Sequence, residues 1–446
     1  MHVTTTKAVR VSLLPDVVRR EAFAEASRFR GEFYECLTTR RDELFELVDA
    51  VLCADGAVKS PVDLTLVPEH RRGHGAMYGG LNHGRIDVGR LRTVLAGLPL
   101  PRFDGGRLVL AVDVSPWLRS DAPCSAERLF CHVYGRAKTA SQFIPGWPYS
   151  FVALLEPGAT SWTAILDAVR LGPADDATAI TAAQLRGVVE RLIAAGQWQA
   201  GDPNILIVSD AGYDVTRLAW VLRDLPVELV GRVRSDRVLR LPKPPRMRGV
   251  NGRPPKHGPE FRFTKPETWP EPAITTVNDT TNYGKAETQA WDRVHPRLTH
   301  RSSWLDHEGE LPLVEGTLEH TFRFAKQTLG WTTPKLRTPE AADRWTWILI
   351  VAHAQLRLAR PLAADLRRPW EKPTVPDRLT PARVRRGFRN IRAHLACPAR
   401  VPKPRGAGPG RPPGAKNKHR APRHDVGKTV KRPETLKAIG KPGRSW

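Results

Sequence analysis

Two short apolar runs, LVLAVD at 108–113 and ILIVSD at 205–210, each break off at an aspartate, and this repetition constrains the chain more than any other feature in it. Runs of this length, rich in Val, Ile and Leu without polar alternation, fit strands buried on both faces, as in a sheet covered by helices. A carboxylate at the end of such a strand is fixed in direction. Asp113 and Asp210 are therefore candidate site residues, and a third acid, Glu319, opens the helical stretch LEHTFRFAKQTLG. On a helix, Leu318, Phe322, Ala325 and Leu329 form a buried stripe, while Glu319, Arg323 and Lys326 fall on a neighbouring face. Three converging carboxylates can hold hard divalent cations and leave positions open for water and phosphate. The plainer alternatives are a turn-forming or helix-capping Asp and a surface charge ladder on the helix.

Charge narrows the range of partners. The chain carries 70 Lys plus Arg against 46 Asp plus Glu, a formal net charge of +24, which favours a polyanion. Membrane is the less suitable polyanion, because no stretch reaches the roughly 18 uninterrupted apolar residues a span requires. The nearest approach, TWILIVAHAQLRLA, is cut by His353, Gln355 and Arg357 and reads as a buried helix that opens at Thr338-Pro339-Glu340, with Trp345 and Trp347 in its core. The start, MHVTTTKAVRVSLLPD, lacks a signal-peptide core, and five cysteines without a C-x-x-C pair suit a reducing cytoplasm. Cys124 and Cys131-His132 read as packing in preference to a zinc half-site.

Organisation is legible from changes in period. Residues 1–100 read as helices, either a DNA-recognising helix-turn-helix or a helical cap packed on the strand-rich region after it. From Arg107, LVLAVDVS, RLFCHVYG and SFVALLEP read as three strands, SWTAILDAVRLG and TAAQLRGVVERLIAAGQW as two helices, then ILIVSD, the helix VTRLAWVLRDL and the strand VELVGRV. Residues 235–312 are basic and β-rich. They contain Gly252-Arg253-Pro254, in which Arg253 suits an A·T minor groove or simply a turn. Residues 313–370 carry the Glu319 helix and closing helices, and 371–446 a basic, mostly disordered tail. In that tail GPGRPPGAKNK offers Arg411, Lys416 and Lys418 to a narrow A·T groove in the manner of an AT-hook, or to phosphates as a generic basic segment.

The motifs VDVSPW, HVYGR, SDAGYD and EHTFRF with KQTLGW after it resemble those of DDE-superfamily transposases of bacterial insertion sequences, of an actinobacterial type, over about Arg107 to Trp370. The resemblance implies an α/β fold with an RNase H-like core spanning 105–234 and completed at 313–370, in which the first and fourth strands lie side by side. It implies Asp113, Asp210 and Glu319 as catalytic metal ligands for Mg²⁺ or Mn²⁺, with Lys326 as the Lys of an E-x6-K signature and Arg323 beside it on DNA. The implied activity is cutting of transposon ends and joining of the 3′-hydroxyl to target DNA, by a homo-oligomer in a synaptic complex, on cytoplasmic, nucleoid-associated DNA. The chain departs from the fuller Y-x2-R-x3-E-x6-K signature, placing Pro312 and Glu315 where Tyr and Arg belong, and it looks shortened before Glu319. The alternative is accordingly a catalytically defective remnant that acts only by binding DNA.

Overall fold

The computed structural model describes residues 16–120, 125–134, 141–158, 160–210, 212–233, 236–241, 257–280, 284–291, 294–296, 326, 328–375 and 378–402. Helices lead: α1 (Asp16–Cys36), α2 (Arg41–Cys53), α3 (Pro61–Leu64), α4 (His74–His83) and α5 (Val88–Ala96), with the short strands β1 (Leu37–Thr39) and β2 (Arg85–Ile86) paired between them. Then come β3 (Val109–Leu118), β4 (Leu129–Tyr134), β5 (Ser141–Leu155), β6 (Thr163–Arg170), α6 (Ala177–Ala194), β7 (Ile205–Ser209), α7 (Val215–Val221) and β8 (Val227–Gly231). Short strands come next, β9 (Val238–Arg240), β10 (Glu260–Arg262), β11 (Ile274–Thr280), β12 (Gly284–Ala290) and β13 (His295–Pro296), and two further helices, α8 (Pro339–Ala359) and α9 (Pro381–Arg392).

The main sheet is mixed. β3, β5 and β6 pair antiparallel in turn, whereas β7 lies parallel to β3 and β8 parallel to β7. This is the strand arrangement of an RNase H-like core flanked by helices. Two sequence expectations change within it. SWTAILDAVRLG is the third core strand, β6, and no helix: Thr163 to Ala168 are all buried, so a run covered on both faces shows no strand alternation and can be mistaken for a helix. RLFCHVYG is an accessory strand, β4, paired with the first part of β5, whose 15 residues serve β4 at one end and β3 and β6 at the other.

The two faces of the sheet bury separate cores. Leu110 and Val112 of β3, with Val152 and Leu154 of β5, pack on Leu185, Val188, Val189 and Leu192 of α6. The opposite face presents Tyr149, Phe151, Ile165 and Ala168 to α8 and the N-terminal helices, which share one continuous core with α9. The opening of α8 is as read from sequence: the Thr338 side chain accepts from the Ala341 amide, Pro339 takes the first helical position, and Trp345 and Trp347 are buried. The first helices thus cap the sheet from that side. Within the stretch from 371, the described residues 378–402 are folded onto the helical cap. Val384, Phe388 and Ile391 seat α9, Arg30 binds the Ala396 carbonyl, and Arg71 binds that of Ala399. After the main sheet, β9 pairs β10 and β13 around Phe261, Trp269 and Trp291, and β11 pairs β12 as a hairpin.

Candidate active site

Parallel pairing of β3 with β7 sets Val112 level with Ser209, so the next residue of each strand, Asp113 and Asp210, stand side by side where the sheet's parallel strands end. Neighbouring strands lie about 4.8 Å apart, which brings the two carboxylates within direct electrostatic reach. Asp113 is only partly exposed, and its carboxylate accepts from the Val114 amide at 2.7 Å. Burial drives the Asp113 carboxyl up to about 6, and the charge of Asp210 adds to the rise, against the Val114 amide and the Lys326 ammonium. Asp210 projects into solvent with 63% of its side chain exposed, and the Arg232 guanidinium stands 3.9 Å away.

Lys326 reaches the site through an aromatic relay. Asp113 lies directly across from Phe151 on the antiparallel neighbour, and Phe151 meets the edge of Trp331 with ring centroids 5.1 Å apart. The Lys326 ammonium sits 5.8 Å from the Trp331 centroid, within cation–π range. Trp331 is in turn pinned to α8: its indole N–H donates to Thr346 Oγ1 at 3.0 Å, and its carbonyl accepts from the Trp345 indole at 3.0 Å. Burial lowers the Lys326 ammonium from its usual value, and the charge of Asp113 opposes that shift.

On the α6 side, the Tyr213 ring packs into the sheet core. Its hydroxyl is buried beside Ser150 but closes no hydrogen bond of normal length. Ser150 instead donates to Gln184 at 2.7 Å, and Gln184 donates back to the Ser150 carbonyl. Burial, with Asp113 behind it, pushes the Tyr213 phenol well above its ordinary range. Tyr213 was visible only as part of SDAGYD, and Arg232 only as a cation after a buried strand.

Of the residues singled out from sequence, Asp113, Asp210 and Lys326 come together. Glu319, Arg323, Arg253, Arg411, Lys416 and Lys418 lie outside the described residues, as do Pro312, Glu315 and Cys124. Cys131 is buried in β4, and burial raises its thiol to about 11, as fits packing. Among the described residues no cluster of three or more His, Cys, Asp or Glu forms a metal cage. The two neighbouring acids nonetheless suit a hard cation: they are acceptors, Asp113 has one amide donor, and burial together with the charge of Asp210 raises its carboxyl, a strain that a bound cation would relieve. No described helix is long and apolar enough to cross a membrane.

Residues 32–297, more than half of the 446, match the family model of the DDE superfamily endonucleases. The chain belongs to this family. No curated protein matches it. Membership in the DDE superfamily carries a nuclease or transposase function, DNA as the substrate and, in general, divalent metal as the cofactor. The matched stretch takes in Asp113 and Asp210, both of the parallel strands that carry them, and Arg232.

Proposed function

We propose that this DDE endonuclease is a transposase that cuts transposon ends and joins the freed 3′-hydroxyl to target DNA by two-metal phosphoryl transfer. The observation that carries the reading is the parallel pairing of β3 with β7, which sets Asp113 beside Asp210 with a lysine over Trp331 close by. Asp113, Asp210 and Glu319 would hold two Mg²⁺ or Mn²⁺ ions. Bound there, the ions supply the Lewis acidity that activates the attacking oxygen and neutralises charge on the leaving one. Asp113 enters that role only when ionised, so the cation and the proton compete for it. Lys326, and Arg323 three positions before it in the sequence, would meet phosphate oxygens of the bound strand.

DNA is gathered by positive charge. Arg253, Arg411, Lys416 and Lys418 belong to the segments we assign to DNA contact, the last three in an AT-hook-like stretch, and two or more copies would join both ends in a synaptic complex on cytoplasmic, nucleoid-associated DNA. A second reading has one observation in its favour: Glu315 stands at the Arg position of the signature and Pro312 at the Tyr position, so the chain would be a DNA-binding remnant. Metal-dependent nicking of duplex DNA separates the two. On the first reading Asp113→Ala or Asp210→Ala abolishes Mg²⁺-dependent cleavage and leaves DNA binding largely intact. Cleavage at the parental rate in either variant would remove these residues from the site.

A further inference from the structure

Arg232 is the first residue after β8, whose last residue, Gly231, is level with Ser209 at the end of β7. Its amide donates to the Ser209 carbonyl at 3.1 Å, which extends the parallel ladder by one step and fixes the backbone beside Asp210. The side chain is not fixed in the same way. Its guanidinium approaches Asp210 only to 3.9 Å, and both side chains are more than half exposed, at 58% and 63%. Arginines elsewhere in the fold make closer contacts: Arg186 forks onto Asp224 with two bonds of 2.7 Å, and Arg360 holds both oxygens of Glu156 at 2.7 and 2.9 Å. An exposed pair at the outer limit of contact contributes little and breaks readily.

A phosphate approaching Asp113 and Asp210 meets two carboxylates, so strand binding requires cations at the rim of the pair. Lys326 supplies one beside Asp113, and it is partly buried. On the Asp210 side the cation among the described residues is Arg232, whose planar fork matches two phosphate oxygens. We propose that Arg232 is a phosphate-binding residue of this site, loosely engaged by Asp210 in the metal-free protein and released to the DNA backbone when that carboxylate is neutralised. The proposal rests on the reading of Asp113 and Asp210 as the metal-holding pair.

The test needs neither cleavage nor metal. Binding of a short duplex to the full chain is measured in EDTA as a function of salt, for Arg232→Gln, Asp210→Asn and the double variant. With Asp210 intact, Arg232→Gln should weaken binding by no more than about twofold, because the ionised carboxylate 3.9 Å away repels the same phosphate and offsets the guanidinium's charge. With Asp210→Asn, the same change should weaken binding at least about fivefold and reduce the slope of log K against log salt by about 0.9, the loss of one phosphate contact. Arg232→Lys should restore the slope without the full affinity, and Arg186→Gln, an equal change in net charge on α6, should show no dependence on residue 210. Equal losses in both backgrounds, or losses no larger than those of Arg186→Gln, would overturn the proposal. This outcome is distinct from failure of the metal-site reading, which appears as Mg²⁺-dependent cleavage persisting in Asp113→Ala.

Discussion

Trp331 joins the stability of the fold to the site, and truncating it should damage both. The side chain is 2% exposed and meets Phe151, Tyr149 and Trp117 with ring centroids 5.1, 5.7 and 6.1 Å away. Removing a buried indole leaves a cavity that costs about 3–5 kcal/mol. Three aromatic neighbours at favourable angles place Trp331→Ala at the upper end of that range, a large part of the roughly 5–15 kcal/mol that holds a typical domain together. Trp331→Phe keeps a ring against Phe151 and loses the indole N–H. Thr346 still donates to the Ala342 carbonyl at 2.9 Å, so its hydroxyl is not stranded and the cost should fall to about 1–2 kcal/mol. Equilibrium urea unfolding monitored by far-UV circular dichroism measures both losses, and nicking of duplex DNA at a temperature where each variant is folded measures the effect on the site. The Ala variant should lose nicking, because the ring beneath Lys326 is gone, whereas the Phe variant should retain most of it. An Ala variant destabilised by less than about 1 kcal/mol, or one folded and nicking at the parental rate, would refute the link between Trp331 and the position of Lys326.

The geometry sets three other outcomes. Gly231→Ala should reduce nicking and cost on the order of 1–3 kcal/mol in urea unfolding, because a Cβ there runs into Val215 at the start of α7, the helix just after Asp210 and Tyr213. A chain ending at Pro402 should unfold like the full protein yet bind duplex DNA with a smaller salt slope, since the removed segment carries 13 Lys plus Arg against two acids; an unchanged slope would show that the segment does not touch DNA. His353 is wholly buried beside Trp162, and burial, with the charge of Arg357 added, holds its imidazole down to about 4. The unfolded chain therefore binds the extra proton between its own value near 6.5 and 4, so stability is intact above about pH 6.5 and falls by up to roughly 3 kcal/mol as pH drops to 4. His353→Leu should remove that part of the slope in unfolding measured from pH 7 to pH 4.

The strands that bear the acids were legible because each combines a buried run with an abrupt polar end, and local sequence contains both signals. β6 was not, since a short strand covered by helices on one face and by α8 on the other has the same apolar density as a buried helix. The role of β5 was obscured in a similar way: Pro145 and Pro148 interrupt the apolar run SQFIPGWPYSFVALL, so only its last part reads as a strand, and RLFCHVYG took its place. The neighbourhood of Lys326 depends on contacts that sequence spacing does not encode. Trp331 reaches Phe151 across 180 positions, and its own anchorage comes from Thr346 on the next helix. Arg232 carried no motif, and its position relative to Asp210 became apparent only with the register between β7 and β8.

The same limit applies to the reading of charge. α9, with the sequence PARVRRGFRNIR, has the composition of a nucleic-acid-binding helix, yet its arginines are paired with groups of their own chain. Arg386 forks onto Glu371, Arg389 binds Glu69, Arg392 binds Asp49, and Arg385 donates to the Val51 carbonyl from a buried position. Arg30, with no exposed surface, holds Asp49 through two bonds at 2.6 and 2.9 Å, and Arg71 and Arg72 meet on Glu46. Asp49 and Glu46 have no exposed side-chain surface, and a buried carboxylate stripped of its cation costs several kcal/mol, so the arginines on these two acids are committed to the helical cap; the outer pairs, Arg386 with Glu371 and Arg389 with Glu69, are held far less tightly. The formal charge of +24 therefore overstates what the folded body offers a polyanion. Residues 403–446 alone account for 13 − 2 = +11 of it. On the proposed function, strand capture and strand positioning would fall to different parts of the molecule: the basic sequence beyond Pro402 would supply long-range, salt-sensitive attraction, whereas register at the acid pair would depend on a few cations at its rim, Lys326 and Arg232 among the described residues.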